Sequence, residues 1–206
     1  QGKVTIPLLD SMGIKHSILS KEEKLAGEQL SNALSYIEQT KEPFAILIQK
    51  GTFEEFELPS SEDLPLLLSR ESAIKTVASS ISSEDIIVST TGMISRELFE
   101  YRENTKQGHS NDFLTVGSMV HASQIALGIA MYQKHRKIYC FDGDGALIMH
   151  MGSLAIIGDI KPQNFVHIIF NNGAHDSVGG QPTVAFHLDI PQIASSCGYS
   201  LALSVD

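Results

Sequence analysis

Two short segments of this 206-residue chain carry side chains whose types and spacing can do chemistry. The first, Phe141-Asp142-Gly143-Asp144-Gly145-Ala146, leaves an apolar run of strand character and enters a helical one. That transition is where open α/β sheets bind ligands. A helix N-terminus attracts phosphate, yet a bare carboxylate at Asp144 would repel it. A divalent cation between the two removes the conflict, because carboxylate, amide oxygen and phosphate oxygen are the hard ligands that Mg²⁺ prefers. The second segment, Phe170-Asn171-Asn172-Gly173-Ala174, ends the next apolar run and offers neutral amide oxygens that would complete such a shell. Each segment alone reads first as a turn, because Asn and Gly dominate turns. Placed on consecutive strands with 25 residues between Gly145 and Asn171, they point to one composite site. A dinucleotide fingerprint would need a third small residue where Ile148 stands, so a nicotinamide reading fails.

Those segments need elements to hold them. Ser20 followed by Glu23 reads as a capping box, and apolar positions from Ala26 to Ile37 recur at helical spacing, so a helix is expected over Lys21 to Gln39. A strand is expected at 44–49, and the acidic, Pro- and Ser-bearing stretch 54–65 reads as a linker. From Ser69 the rhythm becomes regular. Helices are expected near 70–80, 95–101, 118–133, 146–157 and 189–197, and strands at 86–89, 137–141, 165–170 and 200–205, with 113–116 a further short apolar run. Near-continuous apolar strands alternating with helices call for an α/β domain, a doubly wound parallel sheet with helices on both faces.

Composition excludes several classes. With 24 acidic and 15 basic residues the net charge is −9, which disfavours nucleic acid and anionic membranes as partners. No apolar run approaches the ~20 residues of a membrane span. The two cysteines, Cys140 and Cys197, form no C-x-x-C pair, so a disulfide framework is not expected and a reducing cytoplasm fits. No nucleophile elbow surrounds Ser118 and no phosphate loop with Gly-Lys occurs, which counts against hydrolase and kinase readings. No two of the 8 histidines have metal-binding spacing in sequence. His167 reads as a structural strand residue, whereas His121 and His175 lie beside the two segments, where substrate contact and a structural role are equally open.

Gly143-Asp144-Gly145 followed by Asn171-Asn172 resembles the cofactor motif of thiamine-diphosphate-dependent enzymes. The resemblance implies thiamine diphosphate and Mg²⁺ as cofactors, with Asp144, Asn172 and the backbone carbonyl of Ala174 as metal ligands. Further segments are similar to the phosphonopyruvate decarboxylase subfamily: Ser89-Thr90-Thr91-Gly92, Ser95 to Phe99, Val116 to Met119, His121 to Gly128, and Asn171 to Pro182. By that resemblance Thr91 and Gly92 help hold the diphosphate, together with Gly143, Gly145 and Ala146 of the motif. Gly117 and Ser118 would lie at the aminopyrimidine, and Met119 would prop the cofactor in its bent form. One departure is Val120, where the family usually has glycine.

The implied reaction is the non-oxidative decarboxylation of 3-phosphonopyruvate, a 2-oxo acid, to phosphonoacetaldehyde and CO₂, a carboxy-lyase step in phosphonate biosynthesis. The family's activating glutamate belongs to a pyrimidine-binding domain and has no counterpart here, so no catalytic residue is assigned. Residues 1–56 are expected to be the tail of that domain, 57–68 a linker, and 69–206 the diphosphate- and Mg-binding domain, incomplete at its C-terminus. With no initiator Met, the chain reads as a fragment, inactive alone, with the rest of the pyrimidine-binding domain supplied by the same or a partner chain. Ile46 and Ile48 would then leave apolar surface uncovered, so a homo-oligomer is expected. Two alternatives stay open: a sulfopyruvate decarboxylase or another 2-oxo acid decarboxylase with the same cofactor, and a noncatalytic Mg²⁺- or nucleotide-binding α/β module.

Overall fold

The computed structural model describes residues 2–54 and 68–205, which belong to two compact units, 1–59 and 60–206. In the first unit, α1 (Gly2–Ser11) leads to β1 (Lys15–Ile18), and α2 (Glu23–Thr40) leads to β2 (Phe44–Leu47). The two strands pair in parallel, His16 opposite Ala45. Neither α1 nor β1 is expected from the sequence, since Pro7 stands inside α1 and β1 is only four residues long. The expected capping box is absent. Ser20 Oγ accepts a hydrogen bond from Glu22 N, and Gln29 reaches back to Ser20 N and Ile18 O, so the helix starts two residues later than expected. Of the two residues expected to lie uncovered, Ile48 is more than half exposed and Ile46 is half-buried; Leu34 of α2 is exposed as well. The expected linker over 57–68 lies outside the described residues except for Leu68.

The second unit holds α3 (Arg70–Ser79), β3 (Ile86–Ser89), α4 (Met93–Thr105), β4 (Asp112–Leu114), α5 (Ala122–Tyr132) and β5 (Ile138–Gly143). Then follow α6 (Asp144–Met149), α7 (Gly152–Ile160), β6 (Phe165–Phe170), the short strands β7 (Ala174–His175) and β8 (Gln181–Pro182), and α8 (Ile190–Ser196). The main sheet is parallel in the order β4-β3-β5-β6. From β3 the chain moves to one side, to β4, and then crosses back to β5 on the other side. The carboxyl ends of β3 and β5 therefore flank a topological switch point, where such sheets open a crevice.

Helices cover both faces. Ile87 and Phe141 pack with Ile74 of α3 and with Ile94 and Leu98 of α4. On the opposite face Val88, Ile138 and Cys140 pack against Ala122, Ala126 and Ala130, whose small side chains let α5 lie close to the strands. Ile87, Val88, Ile138 and Phe141 are fully enclosed, which explains the non-alternating strand sequences. Each such side chain contributes roughly 1.5–3 kcal/mol of burial.

Three elements differ from the sequence reading. The helix expected from 118 begins at Ala122, because Gly117 and Ser118 take left-handed φ values of 79° and 50° and turn the chain first. The helix expected over 146–157 is two helices broken at His150–Met151, and the first starts at Asp144 itself. The strand expected at 200–205 is not formed. Leu201, Leu203 and Val205 are exposed, and no described strand pairs with them. No described helix is long and apolar enough to cross a membrane.

Helix α7 meets the end of α8 by a close approach of backbone to backbone. A Cβ on Gly158 would stand 1.9 Å from the carbonyl oxygen of Cys197. Gly158→Ala is therefore expected to destabilise the unit by about 2 kcal/mol, read as a lower urea midpoint with unchanged slope.

Candidate active site

At the switch point lies a solvent-open cleft with about 440 Å³ of empty space. Its floor is the run Gly143 to Ala146, where β5 passes into α6. Asp144 is 2% exposed, and its Oδ2 accepts a hydrogen bond from Thr183 Oγ1 at 2.5 Å. Among the described residues no Lys, Arg or His pairs with this carboxylate. The other enclosed acids Glu97, Asp112 and Asp142, by contrast, each face an arginine or a histidine. A buried carboxylate held by one hydroxyl and without a cation is costly by itself and suits a bound cation.

The second half of the site comes from the β6 tip. Asn172 Oδ1 accepts from Ala174 N at 3.2 Å and keeps its other lone pair, while Nδ2 donates to Asp176 Oδ2 at 2.9 Å. The same Asp176 oxygen receives Arg70 Nη1 at 2.6 Å. Arg70 in turn grips Glu97 of α4 with Nε at 3.0 Å and Nη2 at 2.8 Å. The bonds to Glu97, and then to Asp176, hold Arg70 well above its ordinary value and outweigh the opposing effect of burial. An ion-pair chain thus ties the start of α3 and the flank of α4 to the asparagine loop.

The β3 tip completes the walls. Thr90 Oγ1 donates to Met119 O at 2.8 Å, and Gly117 N donates to Thr91 Oγ1 at 3.0 Å, so consecutive threonines lace the 115–119 loop to the sheet. Ser95 Oγ donates to Thr90 O at 2.6 Å and pins the same turn from the start of α4. The His175 ring packs against Gly145, where a Cβ would stand 2.4 Å from the ring. The lack of a side chain at Gly145 is what lets the His175 ring pack against the start of α6.

Thr91, Met119, Gly143, Asp144, Gly145, Ala146, Asn172 and Ala174 all line this one cleft. Gly92, Gly117 and Ser118 do not. Gly92 caps α4 against the Ser177 side chain, and Gly117 and Ser118 form the exposed left-handed turn beside Val116. Val120 is half-buried, and its carbonyl meets His150 Nδ1 at 3.2 Å, so the departure from glycine is absorbed without a cis bond or a left-handed φ. Sequence reasoning passed over Arg70, Glu97, Asp176 and Thr183 as site residues. Arg70 and Asp176 are 106 positions apart, and no local spacing signals such a pair.

Comparison with known proteins bears on the same residues. The chain is 38% identical over 130 residues to a phosphonopyruvate decarboxylase of Streptomyces viridochromogenes, covering 63% of this chain and 31% of that protein. It is 35% identical over 126 residues to the sulfopyruvate decarboxylase subunit beta of Methanocaldococcus jannaschii, covering 61% and 64%. A sulfopyruvate decarboxylase of Methanosarcina acetivorans is 29% identical over 215 aligned residues, covering 93% of this chain and 53% of that one. The chain thus spans about a third of the phosphonopyruvate decarboxylase and under two thirds of the other two relatives. The family model described as "Thiamine pyrophosphate enzyme, C-terminal TPP binding domain" matches residues 90–206, a stretch that contains the β5 and β6 tips with Asp144 and Asn172. Thiamine pyrophosphate is another name for thiamine diphosphate, and it is to this enzyme family, through its C-terminal cofactor-binding domain, that the chain belongs.

Proposed function

We propose that this chain forms the diphosphate-binding part of a thiamine-diphosphate- and Mg²⁺-dependent carboxy-lyase that removes CO₂ from 3-phosphonopyruvate to give phosphonoacetaldehyde. The observation that carries the reading is the buried carboxylate of Asp144, which has no cationic partner among the described residues and lines a cleft at a topological switch point. Its donor set fits the proposed ion. Asp144, the free lone pair of Asn172 Oδ1 and the carbonyl oxygen of Ala174 are all hard oxygen ligands. When bound, thiamine diphosphate supplies the electron sink that decarboxylation of a 2-oxo acid requires.

This chain's residues do the holding. Thr183 fixes the Asp144 carboxylate, Asp176 fixes the Asn172 amide, and the threonine-laced loop carries Met119 at the cleft wall. Thr91, Gly92, Gly117 and Ser118 are proposed to meet the cofactor from that loop and the β3 tip. The first unit is read as part of a pyrimidine-binding domain, which the match across 93% of this chain to a single sulfopyruvate decarboxylase supports. Activity is proposed for an assembly, as a homo-oligomer or with a partner chain, since the Methanocaldococcus relative is by its name one subunit of an enzyme.

Sulfopyruvate is the second substrate reading, favoured by the 35% identity to that subunit. Turnover of the assembled enzyme on 3-phosphonopyruvate, sulfopyruvate and pyruvate tests the choice. The largest kcat/KM is expected for phosphonopyruvate, and a larger value for sulfopyruvate selects the second reading. Calorimetric titration of this chain with Mg²⁺ and either thiamine diphosphate or ATP tests the family role itself. Saturable heat is expected only with the thiamine cofactor, whereas binding of ATP instead would mean a nucleotide module.

A further inference from the structure

On the α5 side of the sheet, away from the cleft, Cys140 and Asp142 of β5 stand beside His167 of β6, the register partner of Cys140. The Cys140 Sγ, a carboxylate oxygen of Asp142 and a ring nitrogen of His167 all lie within 4.8 Å of one another. All three side chains are shut from water, with those of Asp142 and His167 each 3% exposed. The thiol of Cys140 makes no hydrogen bond among the described residues. Asp142 has one short donor, Gly143 N at 3.1 Å to Oδ1, and its Oδ2 faces His167 Nε2 at 3.5 Å, the outer limit of a hydrogen bond. A carboxylate so poorly served away from water is costly.

We propose that Cys140, Asp142 and His167 bind a zinc-class dication at a site separate from the hard-oxygen site at Asp144. Two O or N ligands on a tetrahedral ion at ~2.0–2.1 Å stand roughly 3.4 Å apart, which matches the 3.5 Å between Asp142 and His167. One thiolate, one carboxylate and one neutral imidazole around a dication sum to zero charge, so the complex buries no net charge. A thiolate selects zinc or cobalt over magnesium. The Tyr199 hydroxyl meets His167 Nδ1 at 3.1 Å, the outer-shell contact that orients a ligand histidine and leaves Nε2 facing the other two groups. Burial pushes the Cys140 thiol up, with Asp142 adding to the shift, so the metal-free protein carries S–H. On binding, that bond breaks, the proton leaves to solvent and the sulfur–metal bond forms, with no change of oxidation state.

Cobalt(II) added to the intact chain is the probe. A thiolate-to-cobalt absorption is expected in the near ultraviolet, saturating at one ion per chain and displaced by zinc. C140S is expected to abolish it, and Tyr199→Phe to weaken cobalt affinity ~10-fold. C197S and D144N are expected to leave it intact. Absence of the band, its survival in C140S, or its loss in C197S overturns the proposal. Should C140S not fold, alkylation of Cys140 in the wild type decides instead. Zinc at 100-fold above its Kd is expected to slow labelling about 100-fold relative to chelator, and equal rates overturn the site.

Discussion

Asp144→Asn is expected to weaken Mg²⁺-dependent binding of thiamine diphosphate by on the order of 100-fold or more while leaving the fold intact. The side chain keeps its shape and an oxygen for Thr183 Oγ1, so the change removes charge and little else. Losing one partner of a desolvated charge pair costs roughly 3–5 kcal/mol, and each 1.4 kcal/mol is tenfold in affinity. The sign for the ligand-free protein is opposite. With no cationic partner among the described residues, the buried carboxylate is an unpaid desolvation, and neutralising it is expected to raise Tm by a few degrees. Scanning calorimetry reads both effects. Wild type is expected to gain about 2.7 kcal/mol of stability at cofactor 100-fold above its Kd, and the variant to start higher and gain at most about 0.4 kcal/mol at the same concentration. Unchanged affinity in the variant would remove Asp144 from the metal site.

Arg70→Met carries the second large effect, through the ion-pair chain and not through direct contact with a ligand. Methionine keeps the unbranched stem but leaves Glu97, whose side chain is 13% exposed, without its fork of hydrogen bonds. Breaking such a pair from one side is expected to cost about 3 kcal/mol, or a Tm lower by roughly 6–12 °C. Asp176 loses its 2.6 Å partner and with it the anchorage of the Asn172 amide. Mg²⁺ affinity is expected to fall ~10-fold, the effect usual for a group one shell out from a ligand. Pairing the change with Glu97→Leu separates the two consequences. Stability is expected to recover because no buried charge is left unpaired, whereas Mg²⁺ affinity stays low because Asp176 is still untethered. Recovery of both would make the chain purely structural. Arg70→Lys is expected to fall between, since an ammonium cannot satisfy two carboxylates with a planar fork.

Legibility differed between elements for physical reasons. The central strands stand out because a sheet covered on both faces needs unbroken apolar runs, as at Ile86 to Val88 of β3. Helix starts were less readable. Ser20 carries the residue type of a cap, yet its hydroxyl is spent on Glu22 N and its amide on Gln29, a partner nine positions away. The start of α5 was displaced by two successive left-handed residues, and Ser118 carries no local sign that it would adopt φ > 0. Leu201 to Val205 has strand composition, but a strand exists only where a neighbour pairs with it, and here none of the described strands does.

From the sequence alone followed the alternation of strands and helices, the two covered faces, and the pairing of Gly143-Asp144-Gly145 with Asn171-Asn172 as halves of one site. These are local properties: apolar periodicity, and residue type at a strand end. Only the tertiary structure decided the strand order β4-β3-β5-β6, and with it that Thr90 and Thr91 face Asp144 across the switch point. It also decided the contacts of Arg70 with Glu97 and Asp176, of Thr183 with Asp144, and of Cys140 with Asp142 and His167. The reason is that hydrogen bonds and ion pairs act over a few ångströms, while their partners here stand up to 106 positions apart. Periodicity shows which face a side chain takes, and only the path of the chain in space shows what waits on that face.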